Sequence, residues 1–409
     1  MASTSRPPAW PILIAGGGIA SLALALALRR GAGEAVAVTV VEPRAGRPDG
    51  RAYAISPGSR AMLEALGLWD ELAPLAQPIT AMRITDSRPH DAVRPDYLGF
   101  QPRDSDALGF MLEADPIARI LQAACEAAGV IFRDGAVEAP VATAARIEAR
   151  IGGATVPAAL LAAADGARSR LREGAGIGWI GRDYHQFGLV ATVAHERDHE
   201  SVAVQHFLPG GPFAILPLAG PGETLPHRSS IVWSEEEHHA RKLLADPEAA
   251  DSALAERFGQ ELGAIRRETR LVGFALGIGL ARAFAAPRMA LLGDAAHRIH
   301  PLAGQGLNLG LADAASLAEH VVDAVRLGLD PGGEEVLVAY QRARRLDAVL
   351  LASLTDGLNR LFSNDALALR ILRDLGLGLV DRSPLKGLLA AEAAGKAARA
   401  PRLMRGEKL

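Results

Sequence analysis

The sequence predicts an α/β chain. A parallel-sheet domain receives an inserted antiparallel sheet, and a helical region follows toward the C-terminal end. Three observations predict this. The first forty residues alternate strand, helix and strand around a glycine run. Two uninterrupted apolar runs, Leu160 to Ala164 and Met289 to Leu292, lead into Asp165-Gly166 and Asp294-Ala295. Residues 184–234 carry short strand patterns, several of them separated by Gly and Pro.

In order, residues 12–15 read as a buried strand, 18–30 as a helix and 36–41 as a second strand. That βαβ unit implies a parallel sheet. Pro11 to Leu28 is uncharged and of membrane-spanning length. Gly16, Gly17 and Gly18 break it, and a strand, turn and helix cannot cross lipid as one helix. A signal peptide is excluded because Arg29 and Arg30 follow the apolar run instead of preceding it. The runs at 160–164 and 289–292 suit strands buried on both faces. Ligands in such sheets sit beyond the strands' carboxyl ends, so Glu42, Asp165 and Asp294 are expected to converge on one ligand. Phe187 to Val193, Val202 to Phe207, Phe213 to Leu216 and Ser230 to Trp233 form the inserted antiparallel layer. Helical patterns follow Glu235, then dominate 305–326 and 334–362. From Pro384 the chain is basic, with Lys386, Lys396, Arg399, Arg402, Arg405 and Lys408.

With 409 residues, 49% of them hydrophobic, the chain can build two cores. Its net charge of −3 and aromatic content of 4% argue against a nucleic-acid partner. The single cysteine, Cys125, excludes an intramolecular disulfide, is compatible with a reducing cytoplasm, and reads as a small buried apolar side chain.

Three motifs carry chemistry. In Gly16-Gly17-Gly18-Ile19-Ala20-Ser21, Gly16 makes the tight turn and Gly18 lets backbone approach a pyrophosphate at the helix start, as in a Rossmann-like fingerprint. Ser21 stands where a third glycine is usual. Glu42, ending the second strand, can accept hydrogen bonds from a ribose. The second motif, Asp165-Gly166-Ala167-Arg168, also reads as a turn capping a basic helix. The third and strongest runs from Gly293 to Asn308. A strand delivers Asp294, the chain turns through Pro301 and Gly304, and a helix begins near Gly306. Its N–H groups favour negative charge. His297 and His300, three apart in a Pro/Gly loop, make a poor metal pair, and no metal is expected. His297 reads as structural, and His238-His239 as a solvated helix start.

These motifs, in this order, resemble the single-component FAD-dependent aromatic hydroxylases of the p-hydroxybenzoate hydroxylase type. Finer features resemble the branch that hydroxylates polyprenylated phenols in ubiquinone biosynthesis. They are Arg51 to Ser59, His300 to Gly310, Gly211 to Leu218 and Tyr340 to Arg345. The resemblance implies a Rossmann-like FAD-binding domain (1–77, 110–180 and 286–330), an inserted antiparallel-sheet substrate domain (78–109 and 181–285) and a C-terminal helical region (331–409). It implies that Gly16, Gly18, Ile19, Ala20 and Glu42 hold the ADP half of FAD, and that Asp294 binds the ribityl chain. Pro301, Gly304, Gln305, Gly306, Leu307 and Asn308 would lie at the flavin, the last three through backbone atoms. Arg119 and Arg51 resemble arginines near the cofactor, and Asp165 with Arg168 the motif touching FAD and the pyridine nucleotide. NAD(P)H as reductant, O2, and hydroxylation through a flavin hydroperoxide follow from the resemblance, with an apolar sheet at 187–233 excluding water.

No residue stands out as the acid–base group for substrate. Tyr184, His185 and His206 are candidates that ordinary sheet positions also explain. The basic tail could lie on anionic lipid or a partner of a biosynthetic complex, giving a cytoplasmic protein peripheral to the inner membrane, or be a solvated final helix. Competing readings are hydroxylation of another small phenol, an NAD-dependent dehydrogenase, and a non-catalytic FAD-binding scaffold.

Overall fold

The computed structural model describes residues 9–43, 50–86, 96–101, 107–208, 210–300, 305–362 and 399–409. The chain opens with β1 (Trp10–Ala15), α1 (Ile19–Ala32) and β2 (Val36–Glu42). β3 (Ala52–Ile55), α2 (Pro57–Ala65), α3 (Trp69–Leu72) and β4 (Gln77–Ile79) follow, then β5 (Ala81–Asp86), β6 (Asp96–Phe100) and β7 (Gly109–Glu113). Next come α4 (Ala114–Ala127), β8 (Ile131–Asp134), β9 (Val137–Ala142), β10 (Ile147–Ile151), β11 (Ala154–Ala158), β12 (Leu160–Ala163) and α5 (Arg170–Gly174). Four long strands, β13 (Trp179–His195), β14 (Val202–Leu208), β15 (Gly211–Leu218) and β16 (His227–Glu236), precede α6 (Glu237–Ala245) and α7 (Pro247–Phe258). After β17 (Ile265–Arg267), β18 (Val272–Ala281), β19 (Ala285–Ala286), β20 (Met289–Leu291) and β21 (His297–Arg298) run α8 (Gln305–Arg326) and α9 (Glu334–Phe362).

One sheet has the order β19-β20-β12-β1-β2-β8, parallel except for β19. β1 sits between β2 (Ile12 beside Val38) and β12 (Ile12 beside Leu160). Apolar side chains on both faces of these strands are buried, which is why their sequences do not alternate. Ser21 to Leu28 of α1 are all buried. Small alanines between leucines favour the helix and let it sit close under the sheet and against α8.

A second sheet has the order β21-β18-β13-β16-β15-β14-β5-β6, with β17 on β13. Its strands pair antiparallel except β14 with β5. Period-two alternation assigns its faces. Leu189, Phe213, Ile215, Ile231 and Trp233 pack with Leu243, Leu254 and Phe258 from α6 and α7 in a separate core. The residues between them, such as Val190, Ala214 and Val232, point into a cleft toward the parallel sheet. The strands read from sequence over 187–233 are present and longer than expected. β18 and the pair β5 and β6 were not anticipated. Two three-stranded sheets complete the fold, β3-β7-β4 and β11-β10-β9. Among the described residues no helix is long and apolar enough to cross a membrane.

Candidate functional site

The cleft, of about 740 Å³, lies beyond the carboxyl ends of β1, β2, β12 and β20, where ligands of open α/β sheets bind. Its volume falls in the upper part of the roughly 300–1,000 Å³ range of small-molecule sites. The glycine turn forms one end. Gly16 has φ +108°, and a Cβ there would lie 2.3 Å from the Ala164 carbonyl oxygen, so β1 and β12 require glycine at this point. A Cβ at Gly17 would meet the Glu42 carboxylate at 1.5 Å. At Gly18 nothing stands within 4 Å of that position, and Gly18 caps α1 without a side-chain hydrogen bond. The first N–H groups of α1 therefore face open space suited to an anionic group. Ile19 and Ala20 line the same end. Glu42 is exposed at the lip, and partial enclosure by protein raises its carboxyl above the ordinary value.

Asp294 reaches the cleft on the turn after β20, exposed and without a hydrogen-bond partner among the described residues. Its turn is anchored from beneath. Asp313 of α8, fully buried, accepts hydrogen bonds from the Gly293 amide (3.0 Å), His297 Nε2 (2.5 Å) and Arg344 Nε (2.9 Å). Burial alone would raise the Asp313 carboxyl, but His297, Arg344 and the Gly293 amide hold it below the ordinary carboxylate range. Tyr340 donates to the Leu291 carbonyl (2.6 Å), and Gln341 accepts from the Phe284 amide (2.8 Å). Thus the Tyr340–Arg345 segment secures the loop that presents Asp294, and His297 is structural as expected.

Asp165 lines the cleft, but both its oxygens are engaged locally, by Ser169 Oγ (2.6 Å) and the Leu171 amide (3.2 Å). Ser169 in turn caps α5. The helix-capping geometry expected of this motif is therefore present at the rim of the cleft. Arg168 is exposed at the same rim. Arg172, buried over the Trp179 ring (4.2 Å), donates to the Ala295 carbonyl (3.0 Å) and ties the second motif to the third.

Gly306 and Leu307, in the first turn of α8, line the cleft. Asn308 does not: its side chain donates to the Ala54 carbonyl (2.8 Å) and accepts from the Ser56 amide (2.9 Å), joining α8 to β3 and α2. Arg51 lines the cleft between the Tyr53 and Phe274 rings. Gln305 starts α8 outside the lining, and Arg119 is exposed on α4, also outside it. Pro301 and Gly304 lie outside the described residues, as does the tail over 384–398.

The far wall is the second sheet's inner face, with Gly188, Val190, Ala214, Leu216, Val232 and Leu276. Of the acid–base candidates, Tyr184 donates to Asp356 (2.7 Å), His206 pairs with Thr85 (2.7 Å), and His185 is exposed; none lines the cleft. His300 does, as does Gln205. Both escaped the sequence reading of substrate contacts, although His300 stands inside a motif already singled out. His238 and His239 are exposed at the start of α6. Cys125 is buried and donates to the Leu22 carbonyl, with burial pushing its thiol up to about 12, so it is not a nucleophile. No metal-binding cluster occurs among the described residues.

Residues 9–352 match the FAD binding domain family. The ubiquinone hydroxylase UbiL of Rhodospirillum rubrum is 40% identical over 97% of this chain and 93% of its own length. The mitochondrial ubiquinone biosynthesis monooxygenase COQ6 of Homo sapiens is 31% identical, over 95% and 93%. The 3-demethoxyubiquinol 3-hydroxylase of Escherichia coli is 32% identical, over 91% and 95%. Among solved structures, p-nitrophenol 4-monooxygenase of Pseudomonas putida shares the fold at TM-score 0.75 and 21% identity, covering 94% of this chain and 98% of that one.

Proposed function

Because the chain belongs to the FAD binding domain family, we propose that it is an FAD-dependent monooxygenase hydroxylating the ring of a polyprenylated phenol in ubiquinone biosynthesis, with NAD(P)H and O2. One observation carries the reading: a single cleft runs from the glycine turn and Asp294 to the apolar face of the antiparallel sheet. The residues present fit FAD. Gly18 leaves room for a pyrophosphate at the start of α1, Glu42 offers a ribose acceptor, and Asp294 offers a carboxylate with no hydrogen-bond partner among the described residues.

The chemistry supplied by bound FAD is hydride acceptance from NAD(P)H and delivery of one oxygen atom of O2 to the ring, the other leaving as water. The chain's part is to bind, orient and exclude solvent. The α1 N–H groups hold the pyrophosphate, and those of Gly306 and Leu307 favour negative charge at the ring end. Val190, Ala214, Leu216 and Val232 keep the reacting end dry. We divide the chain into an FAD-binding domain (1–77, 110–180 and 286–330), a substrate domain (78–109 and 181–285) and a C-terminal helical region (331–409). The exposed leucines Leu346, Leu350 and Leu354 fall at i, i+4 and i+8 on α9, beside exposed Arg342 and Arg345. That face supports a cytoplasmic protein resting on an anionic inner-membrane surface, where a long isoprenoid substrate resides.

The test has two parts. Purified protein should bind FAD stoichiometrically and consume NAD(P)H faster when a prenylated phenol is added. Deleting the gene should cause a prenylphenol lacking one ring oxygen to accumulate among extracted lipids. Protein that takes up FAD but leaves every such phenol unchanged would be a scaffold.

A further inference from the structure

His300 is completely buried, lines the cleft, and has no hydrogen-bond partner on either ring nitrogen among the described residues. Gln205, on β14, is 6% exposed, lines the same cleft, and its Nε2 is likewise buried without a partner. The sheet face that lines this cleft is largely apolar, with Val190, Ala214, Leu216, Val232 and Leu276. Buried polar groups are almost always paired, and an unpaired one in a cavity marks where a ligand supplies the missing partner. Every other buried histidine that is paired has a plain structural bond: His195 with Ser229, His206 with Thr85, His297 with Asp313. Among the described residues His300 has instead a ring contact, with the Tyr184 ring edge-on at 5.5 Å.

We propose that His300 and Gln205 are the two polar contacts for the substrate ring, His300 accepting a hydrogen bond from the phenolic hydroxyl and Gln205 Nε2 donating to a second ring oxygen. The inference rests on the functional reading above and sharpens it: the ring that enters already carries two oxygen substituents, so an oxygenating step and, where the second oxygen is methylated, a methyl transfer must precede this reaction. A hydroxyl-accepting site discriminates strongly against a ring lacking that hydroxyl, because the partner is then left buried and unpaired.

The experiment uses FAD-loaded full-length protein and three short-chain probes: 2-methoxy-6-prenylphenol, 2-prenylphenol, and 2-methoxy-6-prenylanisole, whose hydroxyl is capped. Dissociation constants are read from the change in flavin absorbance. Wild type should prefer the methoxyphenol over each of the other two by about 10-fold or more. His300→Leu should keep FAD, melt no lower than wild type, and lose the preference over the capped probe, with His300→Asn restoring part of it. Gln205→Leu should lose only the preference over 2-prenylphenol. Unchanged discrimination in both variants, or unfolding of His300→Leu, overturns the assignment while leaving the hydroxylase reading intact. Wild-type protein that binds none of the three probes overturns both.

Discussion

At the scale of single residues, the site separates groups spent on architecture from groups left free for ligand. Asp165 and Asn308 have their polar atoms committed to neighbouring backbone or hydroxyl groups, whereas Asp294 and Glu42 have no such partner among the described residues. Asp294→Ala should therefore fold normally yet weaken FAD binding by roughly 10–150-fold, the worth of a charge-assisted hydrogen bond, measurable by fluorescence titration of apoprotein. Full retention of flavin would remove Asp294 from the site. His300 gives a second prediction. Burial pushes its imidazole down to about 4, against an opposing pull from Asp356. Its folded value lies below the unfolded one near 6.5, so the unfolded chain binds more protons between those values. Stability is intact above about pH 6.5 and declines as pH falls toward 4. His195, His199 and His320, also lowered by burial, act in the same direction. Urea midpoints measured across that window should fall, and His300→Leu should make the fall shallower.

At the scale of elements, the Asp294 loop is only as rigid as the clamp formed by α8 and α9. Asp313→Ala would leave His297 buried without its carboxylate and Arg344 with Asp347 alone (2.7 Å), a loss of about 3 kcal/mol, the lower end of the range for a broken buried pair. Chemical denaturation should show it, and the variant should lose FAD at temperatures the wild type tolerates. This clamp was illegible in the sequence because its members stand at 293, 297, 313 and 344, on three different elements. By contrast β1, α1 and β2 were legible, since a buried strand, a glycine turn and an alanine–leucine helix are each declared within a few neighbouring residues. The long antiparallel strands announced themselves by alternation. β18 did not: Gly273, Gly277 and Gly279 blank its pattern. β5 and β6 join a sheet whose other strands come some hundred residues later. The glycine fingerprint pointed to the end of the cleft that Gly16, Gly17 and Gly18 line. The far end, with His300 and Gln205, depends on which face of a twisted sheet meets which loop.

At the scale of the whole molecule, two cores meet across a cleft that a large ligand would bridge, contacting β1, β2, β20 and α8 at once. Such a ligand binds the folded chain alone. Free FAD at a hundred times its dissociation constant should raise stability by roughly 2.7 kcal/mol, seen as a melting temperature that climbs with added FAD. A melting temperature indifferent to FAD would contradict a shared cleft. The order of the parallel sheet has a consequence for the newborn protein as well. The neighbour that covers β12 on its outer side is β20, which begins at Met289. At about 5–20 residues per second, the ribosome delivers that neighbour some tens of seconds after Trp10 has emerged. Throughout that interval an oily strand edge stands bare. Nascent chains halted before Met289 should be recovered bound to chaperones, and chains halted beyond α8 should be released from them.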